Sequence, residues 1–77
     1  MKNIKNLDPM EAVIFKDKKG NQLILIKNET EVLIITDGTE HEKEYSGLIT
    51  FINSDGIELE NSNRVIFWEY IEEINII

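Results

Sequence analysis

The chain of 77 residues has no cysteine, one histidine, one proline and no apolar run longer than four residues. The lack of cysteine excludes disulfide bonds, and with a single histidine it argues against a closed zinc site. A transmembrane helix needs about 20 consecutive apolar residues, so runs of four predict no membrane span. The N-terminus also lacks the apolar stretch of a signal peptide, and we therefore expect a soluble, cytoplasmic protein.

Basic residues are scarce: 8 lysines and arginines stand against 15 acids, for a net charge of −7. Residues 1–36 hold six lysines and five acids, or +1, whereas residues 37–77 hold ten acids against Lys43 and Arg64, or −8. This balance argues against nucleic-acid binding, which neutralises phosphates, and against anionic membranes. Five of the six aromatic residues fall in the acidic part. An acidic, aromatic surface suits a basic protein partner.

A chain of this length predicts one domain, spanning residues 1–77. Its apolar content of 42% is typical of a folded protein, although a core this small is only marginally stable. The abundance of isoleucine, asparagine, lysine and glutamate indicates an AT-rich genome, as in a low-GC bacterium or one of its phages.

Apolar residues recur with a period of two, which predicts β-strands rather than helices. Short polar turns, three of them with Gly20, Gly38 and Gly56, separate the strands. Strands are predicted at 12–15, 23–26, 32–35, 44–53, 57–59, 65–67 and 73–77. We therefore predict an all-β fold, a small antiparallel barrel or sandwich.

Two segments are candidates for a short helical turn. Asp8 and Pro9 can begin one near the N-terminus. A second is predicted at 68–71, before the last strand. The alternative at this end is a helix over 67–74, because residues 67, 70, 71 and 74 would share one helical face.

Two strands, 23–26 and 32–35, are apolar on both faces, whereas a half-exposed antiparallel strand should alternate. An uncovered second face would be an aggregation hazard. We therefore predict a homo-oligomer. In the long strand, alternation predicts one face with Tyr45, Gly47, Ile49 and Phe51.

The segment Gly47–Leu59, followed by Val65–Phe67 and by Ile71, Ile74 and Ile76, resembles the second half of Sm-like small β-barrels. It also resembles the C-terminal segment of the YolD-like family. The resemblance implies a small antiparallel SH3- or Sm-like barrel of five to seven strands. In such a barrel Gly47 would let its strand bend sharply, and the last strand would close the barrel. The basic character and RNA-contacting signatures of Sm and Hfq-like proteins are absent, so an RNA-binding ring is only a third alternative.

Signs of catalysis are weak. His41, among carboxylates in residues 37–44, has the chemistry to ligate a cation or titrate near neutral pH, but an exposed charged loop is the favoured interpretation. Two carboxylate pairs, Glu58 with Glu60 and Glu72 with Glu73, are better explained as solvated strand faces than as a glycosidase-like pair. No phosphate loop or nucleophile elbow is present. We predict no enzymatic activity, no cofactor and no metal.

The favoured function is a non-catalytic protein-binding module, such as a small phage-type inhibitor or adaptor. Its predicted partner-binding residues are two aromatic residues of the kind enriched at interface hot spots and three flanking acids. They are Trp68, Glu69, Tyr70, Glu72 and Glu73. The competing interpretation is that Trp68 and Tyr70 pack into the core or cap the barrel.

The alternative function is a homo-oligomer that binds or sequesters a nucleotide-like ligand at a subunit boundary. In this hypothesis Tyr45 or Trp68 stacks on a base, while a cation contacts a phosphate. The candidate cations are Lys18, Lys19 and Arg64.

Overall fold

The computed structural model describes residues 10–39 and 42–77, and most of these lie in seven β-strands. The strands are β1 (Ala12–Lys16), β2 (Gln22–Ile26), β3 (Glu31–Thr36), β4 (Glu44–Ile52), β5 (Gly56–Leu59), β6 (Ile66–Phe67) and β7 (Ile71–Ile76). One turn of 3₁₀ helix, Trp68–Tyr70, joins β6 to β7. The prediction of a small all-β fold is confirmed.

The strands form two antiparallel sheets. β1 and β2 make a hairpin, and the other five strands make a sheet in the order β6-β5-β4-β3-β7. In the described part of the chain these sheets do not pair into a closed barrel, since β6 and β7 end the larger sheet at opposite edges. The observed architecture is therefore an open pair of sheets.

The core lies between the hairpin and the concave side of the larger sheet. Buried apolar residues come from both: Leu25, Val32, Ile34, Ile49, Ile52, Ile57, Leu59, Ile66, Ile71 and Ile74. Val13, Phe15 and Leu23 of the hairpin pack against this cluster and are partly buried. Burying one such side chain fully is worth about 1.5–3 kcal/mol, so the hairpin stabilises the fold chiefly through this inner face.

The tip of the hairpin is fixed by one buried carboxylate. Asp17 Oδ1 accepts hydrogen bonds from the backbone N–H of Lys19 and of Asn21, both at 2.9 Å. Burial alone would raise the pKa of Asp17, but these bonds and one from the Asn21 side chain together hold it below its usual value. The ionised carboxylate therefore stabilises the turn.

Strand β4 departs from the predicted alternation. Its ladder with β5 shifts register between Ile49 and Phe51, which is the signature of a β-bulge. As a result Ile49 and Ile52 are both buried, while Phe51 is only half-buried. The prediction that Phe51 shares the face of Ile49 assumed an unbroken period of two and is wrong for this reason. Earlier in β4, Gly47 adopts φ +147°, a conformation that favours glycine.

The C-terminal segment follows the favoured prediction of a turn and then a strand, although the strand begins at Ile71 rather than at residue 73. The alternative of a helix over 67–74 is wrong, because Ile71 and Ile74 bury themselves by pairing β7 with β3. The helical turn predicted at Asp8 and Pro9 falls on residues outside the described ranges, as does His41.

Strands β2 and β3, which are apolar on both faces, leave apolar side chains on the face away from the core. In β2, Leu25 is buried, but Ile24 is 60% exposed and lies opposite Ile14, which is 64% exposed. In β3, Leu33 and Ile35 are half-buried on the face away from the core. The homo-oligomer stays a prediction. Within the described ranges, no helix has the length and apolar character to traverse a lipid bilayer.

Candidate protein-binding surface

The turn between β4 and β5 holds Trp68 in place. Asn53 Oδ1 accepts the backbone N–H groups of Asp55, at 2.9 Å, and Gly56, at 3.1 Å, which closes the turn. The backbone N–H of Trp68 donates to the Asp55 carbonyl at 3.0 Å. Its indole Nε1–H donates to the Asn53 carbonyl, also at 3.0 Å. The tryptophan is thus anchored to this turn at both ends.

The indole ring joins the two sheets. It stacks on Phe15 of β1, with ring centroids 5.7 Å apart and planes 23° apart. The side chain is half-buried and packs against the core. These contacts favour the competing interpretation, in which Trp68 caps the core, yet part of the ring still faces the surface.

Two shallow grooves meet at Trp68. The larger, of about 420 Å³, is lined by residues 54–55 and 67–70. The smaller, of about 240 Å³, lies between residues 13–16 of β1 and the indole ring. Phe67 is 39% exposed and packs edge-to-face on Tyr70 at 6.2 Å. We call the exposed parts of Asp55, Phe67, Trp68, Glu69 and Tyr70 the Trp68 surface.

The acids around this surface differ in their surroundings. Glu69 and Glu72 are exposed, and neither forms an ion pair with any residue in ranges 10–39 and 42–77. Glu73 is half-buried, and its Oε1 lies 3.9 Å from Lys19 Nζ. Of the three predicted acids, Glu69 and Glu72 are therefore the ones available to a partner.

The lysines of the hairpin tip face acids of the larger sheet. Lys19 contacts Glu73, as described above. Hydrogen bonds from the Thr39 backbone and hydroxyl lower the pKa of Asp37, and the charge of Lys18 lowers it further. Lys18 and Lys19 thus offset acids of their own chain, which weakens the hypothesis that they bind a ligand phosphate.

A third groove, of about 530 Å³, brings Tyr45 and Arg64 together. It lies between the start of β4 and the loop 61–64, and Glu42 and Glu44 also line it. The structure therefore unites two of the four predicted ligand-binding residues and places the two lysines elsewhere. Two glutamates beside one arginine make this groove a poor site for an anion.

Four residues that the sequence did not single out for function help to build the Trp68 surface. Phe15 and Phe67 were predicted only as strand residues, and Asn53 and Asp55 only as turn residues. The pattern Asn-Ser-Asp-Gly at residues 53–56 predicts the turn, but it does not predict that the Trp68 indole packs against this turn. The packing of the indole depends on contacts between segments that are far apart in the chain.

The arrangement offers aromatic contact area, open grooves and unneutralised carboxylates. In the described ranges no group of three or more metal-binding side chains comes together. Comparison with known proteins finds no matching family model, curated protein or solved structure, so the chain is assigned to no family.

Proposed function

We propose that this chain is a non-catalytic protein-binding module, a small inhibitor or adaptor, whose Trp68 surface engages a basic partner. One observation carries the proposal: the exposed carboxylate of Glu69, which has no ion-pair partner among the described residues, lies beside an aromatic cluster bordered by two open grooves. The exposed Glu72 follows it three residues later in the chain. Aromatic anchors supply contact energy, while acids at the rim speed and orient association with a positive surface. The lack of cysteine fits a reducing, cytoplasmic setting.

Charge reversal tests this proposal. The variant Glu69→Lys/Glu72→Lys changes the two free acids, and Glu29→Lys/Glu31→Lys makes the same charge change at exposed positions elsewhere. We expect immobilised wild-type protein and the control to retain the same basic proteins from a bacterial lysate, and the test variant to lose them. Identical sets of retained proteins for all three chains would refute the role of this surface.

A second candidate function is binding or sequestering of a nucleotide-like ligand by a homo-oligomer at the groove of Tyr45 and Arg64, although the two glutamates of that groove disfavour a phosphate. The supporting observations are that this groove is the largest of the three described above and that Ile14 and Ile24 expose apolar surface. Native mass spectrometry of the untagged protein tests both parts. If this candidate is right, the wild-type mass is a multiple of 9.0 kDa plus the mass of a bound ligand. The added ligand mass should be absent in Arg64→Ala.

The Sm-like resemblance of residues 47–77 stays a hypothesis about β4 to β7. It supports an RNA-binding ring as the third candidate, against which the charge of −7 argues. An origin in a phage or low-GC bacterium is likewise a proposal, based on composition alone.

A further inference from the structure

Strand β1 pairs with β2 along one edge, and along its other edge no strand pairs with it in residues 10–39 and 42–77, so we call this second edge the open edge. In an antiparallel pair, alternate residues direct their backbone N–H and C=O groups toward the partner strand and away from it. The Asp17 N–H donates to the Asn21 carbonyl, and the Lys27 N–H to the Glu11 carbonyl, both at 2.9 Å. The odd-numbered residues of β1 therefore direct their backbone N–H and C=O groups toward β2.

The even-numbered residues Ala12, Ile14 and Lys16 consequently direct their backbone groups to the outer side. Met10 shows this direction, because its N–H donates to the Ile52 carbonyl at 2.8 Å across the same edge. Strand β4 ends at Ile52, so no strand in ranges 10–39 and 42–77 continues along β1. The outward backbone N–H and C=O groups of these three residues form no backbone hydrogen bond with the described residues.

The open edge borders a groove. The cavity of about 240 Å³ between residues 13–16 and Trp68 runs along this stretch of β1. Because successive side chains of an extended segment point to opposite sides, those of an added strand would alternately meet Trp68 and the exposed Ile14. The site thus supplies main-chain partners, an aromatic contact and an apolar contact.

The charge around the groove defines the occupant. Lys16 lines this groove itself, but two acids, Asp55 and Glu69, are exposed in the neighbouring groove, which shares Trp68 with it, so the charge around the indole is negative on balance. We propose that the outer edge of β1 accepts an extended segment of a partner protein, with alternating apolar and basic residues, as an added β-strand. This inference rests on the proposed function, for which it names the form of the partner.

A second copy of the chain fits this edge less well. Antiparallel pairing of two β1 strands with Ile14 opposite itself would place Glu11 of one copy opposite Asp17 of the other. Like charges directly opposite each other destabilise a ladder. The second copy would also bring two acidic surfaces together, whereas a basic segment would neutralise one.

The experiment uses a short fluorescein-labelled peptide of alternating lysine and valine, with fluorescence anisotropy as the readout. Its first control is a peptide of the same composition with lysines and valines in separate blocks. Two further peptides carry backbone N-methyl groups on one alternate set of nitrogens or on the other. An added strand donates hydrogen bonds to β1 from only one of these sets, so one methylated peptide should bind and the other should fail.

A matched pair of protein variants tests the edge itself. Ile14→Pro removes an outward N–H of β1, and Ile24→Pro removes the equivalent N–H from the opposite edge of the hairpin. We expect Ile14→Pro to weaken peptide binding about tenfold and Ile24→Pro to leave it unchanged. If a proline variant fails to fold by circular dichroism, the methylated peptides decide the question on the wild-type protein.

The outcomes separate the two proposals. Equal binding of both methylated peptides would overturn strand addition. Loss of binding in Glu69→Lys/Glu72→Lys but not in Ile14→Pro would also overturn it and leave the acidic surface standing. The reverse pattern would support strand addition and remove the role of the two acids. A wild-type dimer in sedimentation that Ile14→Pro alone dissociates would show that the occupant is a second copy.

Discussion

Replacing Gly56 by alanine should destabilise this protein more than any comparable glycine substitution described here. A Cβ atom at residue 56 would lie 2.1 Å from the carbonyl oxygen of Ile66 and 2.9 Å from the Cα of Phe67. Both neighbours are backbone, so no side-chain rotation can relieve the overlap. Ordinary contact begins at 3.4 Å, and β6 would have to retreat by the difference, about 1.3 Å.

The loss of stability follows from the hydrogen bonds and the apolar burial that this movement of β6 weakens. The movement would weaken the ladder bonding between Ile57 and Ile66 and the 3.0 Å bond from the Trp68 N–H to the Asp55 carbonyl, which lie on either side of the Gly56–Phe67 pair. Two such bonds are worth about 2 kcal/mol in total. Partial exposure of Ile66, which is buried, adds about 1–2 kcal/mol. The expected loss of about 3–4 kcal/mol is a large part of the roughly 4–12 kcal/mol that a domain of this size has.

Thermal unfolding followed by circular dichroism measures this loss, with Gly20→Ala as the control. Gly20, unlike Gly56, has a positive φ, +93°, but nothing lies within 4 Å of its added Cβ, so only backbone strain of about 1 kcal/mol is expected. At about 4–8 °C per kcal/mol, Gly56→Ala should lower Tm by more than about 12 °C and Gly20→Ala by about 4–8 °C. Equal shifts would refute the close approach of β5 and β6.

Two further predictions concern single side chains. Trp68→Phe keeps a ring to stack on Phe15 but removes the indole donor to the Asn53 carbonyl. Chemical denaturation should therefore show a free energy of unfolding lower by about 1–2 kcal/mol. An unchanged denaturation midpoint would mean that this hydrogen bond contributes nothing to stability. The pKa of Asp17 is lower in the folded chain than the ordinary 3.8, so its ionised form stabilises the fold above that pH, and the contribution disappears as pH falls through the folded pKa. The Tm difference between wild type and Asp17→Asn should therefore be full at neutral pH and shrink as the pH falls below 3.8, whereas a difference independent of pH would contradict this assignment.

The approximate positions of the strands along the chain were predictable because each apolar stretch is short and ends in turn-forming residues. Asn53 and Gly56, for example, correctly located the turn between β4 and β5. The bulge in β4 was not predictable, because the sequence from Leu48 to Ile52 has large side chains at nearly every position. Thr50 is the one polar residue of this segment, and a single threonine among four large apolar side chains gives too little alternation to fix the register.

The candidate site was predictable in composition but not in geometry. The sequence selected Trp68 and its flanking acids by residue type and charge. It did not reveal that Lys19 reaches Glu73, because these residues are far apart in the chain and meet only when the hairpin packs on the larger sheet. The same holds for the stacking of Phe15 on Trp68, which decides how much of the indole stays exposed.

The double anchoring of Trp68 makes the protein's own fluorescence a report on the order of its assembly. Trp68 is the only tryptophan, and it bonds to Asn53, 15 positions away, but stacks on Phe15, 53 positions away. Closing the shorter loop costs less chain entropy, so the indole should dock on the 53–56 turn before the hairpin covers it. A stopped-flow experiment on the unmodified chain would then show an early change in emission, as the indole donates its hydrogen bond, and a later one as the two sheets close.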